Sequence, residues 1–173
     1  MAIREEGSNI VIDSSIAGSL FPKTEKEIIF PVLIDASKAK DGIQIEGSIY
    51  GRSIEMRGQI YVEGPVVSRG DTKLSPANQG IRLFSGITVN GVLNGLSSYK
   101  DNEQSLLNGM DKSSILIRGD IAVNQNLFLS NAIVFGSIRA VNCKLVNCIV
   151  LGTVLAQESL TISMSSIGGY SAR

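Results

Sequence analysis

A chain of 173 residues with 43% apolar side chains is one domain of ordinary size, with enough hydrocarbon for a core. Its sixteen basic and sixteen acidic residues cancel, so nothing in the charge balance points to nucleic acid. Histidine is absent, which removes the commonest general base, proton shuttle and metal ligand together.

The opening residues, MAIREEGSNIV, show no basic region followed by an apolar run, and no stretch of eighteen apolar residues follows. Neither an export signal nor a membrane span is expected, and the expected location is cytoplasmic. Eighteen glycines, four prolines and many Ile and Val predict short strands with tight corners. One phrase then recurs: apolar, any, apolar, any, Gly, any, apolar. It reads Ile43-Gln44-Ile45-Glu46-Gly47-Ser48-Ile49, then Ile60-Tyr61-Val62-Glu63-Gly64-Pro65-Val66. Further copies centre on Gly91, Gly119, Gly136 and Gly152, and weaker ones on Ser14, Val32 and Gly168. The intervals between these centres are 18, 15, 17, 27, 28, 17, 16 and 16 residues. The two long intervals contain polar, turn-rich stretches, residues 71–80 and 98–112, which are expected to be loops inserted into a regular array.

Seventeen residues at roughly 3.3 Å each supply three short strands and three corners, a triangular coil. Alternation places Ile43, Ile45, Ile49, Ile54 and Met56 inside and Gln44, Glu46, Tyr50 and Glu55 outside. Stacked coils align Ile43, Ile60, Ile87 and Ile115 in one internal ladder, about 4.8 Å from layer to layer. The expected fold is therefore all-β: a single-stranded solenoid of about seven to nine coils, spanning residues 1–173 as one domain. A drift between fifteen and eighteen residues, in place of a strict six-residue beat, favours a right-handed coil.

Catalytic constellations do not emerge. Acyl-transferring and carbonic-anhydrase-like solenoids need a histidine, and the acidic pair Glu46 and Glu63 reads more simply as a solvated face. Cys143 and Cys148 lie in an apolar stretch and read as buried thiols. No catalytic residue, cofactor or metal is expected.

Two features predict interaction. Solenoid ends expose unpaired backbone and an open core, so Ile10, Ile12 and Ile16 at one end and Ile167 and Tyr170 at the other are expected to make end-to-end contacts with a second copy. The outward positions also change from charge to hydrocarbon along the chain. Leu116, Ile133, Phe135, Ile149 and Leu151 form an apolar face, which either meets a partner or is covered by the 98–112 insertion.

The glycine-punctuated phrase at seventeen-residue spacing, clearest over residues 43–70 and again over 115–153, resembles the bactofilins, polymer-forming cytoskeletal proteins with a β-helical core. The resemblance implies filaments assembled through terminal coils without nucleotide or metal. It also implies a scaffold for other proteins, often at the inner face of the membrane. Up to nine coils, two insertions and almost no tails depart from that family's shorter uninterrupted core. The alternative is a non-polymerising binding subunit that docks a partner through the apolar C-terminal face.

Overall fold

Alternation with a period of two buries one side of each short strand, and a chain that keeps turning the same way can bury all those sides against one another. The computed structural model, which describes residues 3–21, 30–96 and 114–172, shows this arrangement as a β-solenoid of about eight turns with no helix among the described residues. Among the described residues fifteen strands form one continuous sheet. They are β1 (Ile3–Glu6), β2 (Asn9–Ile12), β3 (Val32–Asp35), β4 (Ile43–Ile45), β5 (Ile49–Gly51), β6 (Ile54–Val62), β7 (Val66–Ser68), β8 (Thr72–Leu83), β9 (Ile87–Val89) and β10 (Leu93–Gly95). After these come β11 (Ile115–Ile117), β12 (Ile121–Val123), β13 (Asn126–Val134), β14 (Ile138–Ser163) and β15 (Ser166–Ala172).

Parallel pairing sorts the strands into three faces. Face one stacks residues 10–12, 32–34, 54–56, 72–74, 93–95, 127–129 and 143–145. Face two stacks 43–45, 60–62, 81–83, 115–117, 132–134, 148–150 and then Ser166 and Ile167. On face three, 49–51, 66–68, 87–89 and 121–123 lead to β14 and finally to residues 170–172 of β15. Strand β14 is long enough to lie on itself: Asn142 bonds Glu158 and Ser159 one turn later. The core runs down the middle, with Ile43, Ile45, Ile49, Ile54 and Met56 buried as alternation requires.

Pairing corrects several expectations. Ile87 does not belong to the ladder of Ile43, Ile60 and Ile115; Ile81 takes that place, between Ile60 and Ile115. Ile87 lies on face three, between Val66 and Ile121. The copy of the phrase that follows Ile60–Val66 is therefore Ile81-Arg82-Leu83-Phe84-Ser85-Gly86-Ile87, in which Ser85 holds the corner position that glycine holds elsewhere: its carbonyl accepts from Gly119 N–H, 3.2 Å. Gly91 marks a different corner, stacked on Gly70. Val32, expected at a corner, is a core residue of β3.

Residues 71–80 are not an inserted loop. Residues 72–76 of β8 pair with residues 54–58 of β6, and the pairing resumes at Ile81 opposite Ile60. Only three extra residues are absorbed at that corner, where Asn78 and Gly80 take positive φ. Pro76, Asn78 and Gly80 look loop-like because a corner needs the same residue types as a loop.

The predicted loop at 98–112 lies outside the described residues, but its flanks locate the extra length. Gly95 pairs with Leu129 and Ile115 with Ala132, and the chain needs only Ser130 and Asn131 to join those partners.

Two kinds of corner hold the coils in register. Between faces two and three, a Cβ on Gly64 would lie 2.7 Å from the backbone of Gly47 and Ser48, so these two corners approach too closely for a side chain at Gly64. Between faces one and two, Asn131, Asn147 and Met164 occupy left-handed conformations with φ of 54°, 52° and 49°. Asn147 Nδ2 donates to Asn131 Oδ1 at 3.2 Å, and both side chains are buried. Asparagine tolerates this backbone and also bonds along the stack. A methionine side chain has no amide to offer the stack and suits this backbone less, so Met164→Asn is expected to raise stability by about 1 kcal/mol, roughly 2–4 °C in Tm. Thermal unfolding measured side by side with the parent checks this, and an unchanged or lower Tm counts against it.

Candidate interaction surfaces

Strand alternation and stacking turn each outward position into a straight row. One row on face two reads Gln44, Tyr61, Arg82, Leu116, Ile133, Ile149 and Ser166. The row beside it reads Glu46, Glu63, Phe84, Arg118, Phe135 and Leu151, fixed by backbone bonds from Glu63 to Ile45, Phe84 to Val62, Arg118 to Leu83 and Phe135 to Ile117. The change from charge to hydrocarbon is real in these rows, but it is not uniform. Phe135 and Leu151 are 48% and 58% exposed, Ile133 and Ile149 are half-buried, and Leu116, expected on the surface, is only 6% exposed.

Arg82 and Phe84 belong to this face, where the register expected from the glycine spacing puts Thr88 and Asn90. Arg118 lies over the Phe84 ring at 4.8 Å, a cation–π contact. Arg82 is half-buried and donates to Ser114 O and Oγ at 2.8 and 3.1 Å; desolvation lowers its pKa.

Chemistry-bearing groups are dispersed. Glu46 and Glu63 are both exposed, and Glu63 accepts from Gln44 Nε2 at 3.2 Å. Glu55 on face one is held below the usual carboxylate range by the Arg57 hydrogen bond at 2.9 Å, with Lys73 3.5 Å away. Cys143 and Cys148 are free and buried, and loss of solvation pushes their thiols up to about 12 and about 11. Among the described residues no three His, Cys, Asp or Glu side chains form a metal-binding group, and no helix is long and apolar enough to cross a membrane.

The two ends differ. At the start of the stack, β1 pairs antiparallel with β2, turning through Gly7 at φ 63°. It occupies the outer edge of β2, so Ile10 and Ile12 are buried and their edge is covered; Ile16 is half-buried. A two-residue turn after Ile3-Arg4-Glu5-Glu6 is a hairpin signal that the repeat pattern does not capture.

At the other end the core continues into solvent. Tyr170 follows Val154 in the stack, and exposure rises from 0% to 70% between them. Ile167 follows Val150 and is half-buried. The 17-residue step from Asn147 to Met164 also carries Cys143 to Leu160 and Leu145 to Ile162, and Ile162 is 37% exposed. Of the expected end-contact residues, Ile167 and Tyr170 thus lie at an uncovered end of the described stack. The sequence matches no protein-family model, no curated protein and no solved structure.

Proposed function

We propose that this chain is a cytoplasmic structural scaffold that self-assembles into nucleotide-independent filaments through its terminal coils, with a second copy of itself as the primary partner. The observation that carries this reading is the uncovered last coil: side chains in core positions, Ile162, Ile167 and Tyr170, face the end of the stack with no layer of described residues over them. An edge of this kind is a template for another strand, and a regular array gains the same pairing and burial from each layer added. The resemblance to bactofilins supports the same reading.

Carrying Lys at positions 162 and 170 tests it. Wild-type chain is expected to give elongated particles by negative-stain microscopy, growing in steps of about 38 Å, eight layers of about 4.8 Å each. Ile162→Lys with Tyr170→Lys should leave single solenoids, because a buried lysine in the joint is left without a partner. Wild-type particles that stay at single-solenoid length overturn the reading. They would favour the docking subunit, for which the exposed Phe84, Phe135 and Leu151 supply the surface and another scaffold or membrane-associated protein the partner.

A further inference from the structure

Strand β1 makes the one antiparallel pairing beside fourteen parallel pairings of the described residues. We infer that β1 is a displaceable cap, and that moving it aside opens the parallel edge of β2 to the last coil of a second copy; the inference rests on the self-assembly reading above.

Three observations lead here. First, β2 beneath the cap is already a complete side of a coil. Ile10 and Ile12 are buried in the same phase as Val32 and Ile34 of the next layer, with which they pair in parallel. A strand arriving in parallel would find what every inner layer finds.

Second, the last coil presents matching side chains. Leu160 and Ile162 hold the face-one core positions there, so stacking them on Ile10 and Ile12 continues the aliphatic ladder across the joint.

Third, β1 is weakly held. It has four residues, pairs with one strand only among the described residues, and leaves Ile3 37% exposed. One ion pair ties it to the stack, Arg4 Nη2 to Asp13 at 3.6 Å between exposed side chains, since the other Arg4 pair, Nε to Glu6 at 3.1 Å, lies within β1 itself. Short, exposed, singly paired segments open at low free-energy cost compared with the whole fold. An incoming coil would replace four antiparallel pairs by a full layer, so the exchange favours the joint once two copies meet. The charged antiparallel strand meanwhile blunts the edge against random pairing.

Arg4→Glu tests the cap in the full chain. It replaces the ion pair between β1 and the stack by repulsion between the introduced carboxylate and that of Asp13, and removes the Arg4–Glu6 pair within β1 as well. Light scattering and sedimentation should show assembly beginning at a protein concentration at least tenfold lower than for wild type. Gly7→Val, which strains the turn at positive φ, should shift the threshold the same way. If both variants assemble at the wild-type threshold while wild type does form filaments, the cap is refuted and the self-assembly reading stands. If wild type and both variants remain single solenoids, the self-assembly reading fails and takes the cap with it. Circular dichroism and an unchanged unfolding transition confirm that each variant is folded before the threshold is read.

Discussion

Gly136→Ala should lower the stability of the fold by about 3 kcal/mol, which for a chain of this size is roughly 6–12 °C in Tm. Nothing about the backbone angle at Gly136 demands glycine, since its φ is not in the left-handed region. The demand comes from the direction of the missing side chain. A Cβ there would point along the solenoid axis and meet the carbonyl carbon and oxygen of Gly119 at 2.5 Å. Real Cβ atoms do not approach backbone so closely, so the corners of two layers would have to separate. Separation is opposed by the hydrogen bond from Ser137 N to Asp120 Oδ1 at 2.7 Å across the same gap. Gly152 sits on Gly136 in the same way, so the disturbance reaches the layer on the other side as well. Gly169 supplies the control: a Cβ there meets only Thr153, at 3.6 Å, and Gly169→Ala should change stability by less than about 0.5 kcal/mol. Equal effects of the two substitutions in urea unfolding would sink the argument from close approach.

The second large effect belongs to the asparagine corner. Replacing Asn147 by alanine should cost about 3 kcal/mol, combining a lost buried amide bond to Asn131 with alanine's poorer tolerance of the left-handed backbone, φ 52° here. Asn147→Gly loses the same bond and escapes the backbone strain, so it should cost about 1 kcal/mol less. The order matters more than either value. Alanine worse than glycine means that the corner is set by backbone conformation as well as by the amide, whereas glycine equal to or worse than alanine means the left-handed conformation contributes nothing there. Since Met164 occupies the next position of the same corner, a gain from Met164→Asn and a loss from Asn147→Ala are two readings of one cause.

Much of this architecture is legible in the sequence, because a solenoid repeats its instructions. The inside and outside residues of the coil that begins at Ile43 follow from alternation alone, and the layer of about seventeen residues follows from the spacing of Gly47, Gly64, Gly119, Gly136 and Gly152. Register fails where two corners carry the same residue types. Ser85 holds the glycine position of its corner, so the phrase centred on Gly91 looks like the better copy although it lies one face further on. The shift assigns Thr88 and Asn90 to the interaction face in place of Arg82 and Phe84, and turns three extra residues into a ten-residue loop. Leu116 is misplaced for another reason: alternation assigns a side of the strand but does not report what covers that side. The hairpin at Gly7 escapes because four residues of Ile-Arg-Glu-Glu carry too little hydrocarbon to stand out as a strand.

The corner after Gly95 has a consequence for how such a chain can change. In the layer above it, two residues bridge from Leu129 to Ala132, while here nineteen residues separate Gly95 from Ile115, and both ends still dock on that same layer. Length at this point is uncoupled from the register of everything around it. A doorway of this sort lets foreign sequence leave and re-enter the molecule without disturbing its neighbours, which makes it the natural place to splice in a tag, an epitope or a whole folded cargo.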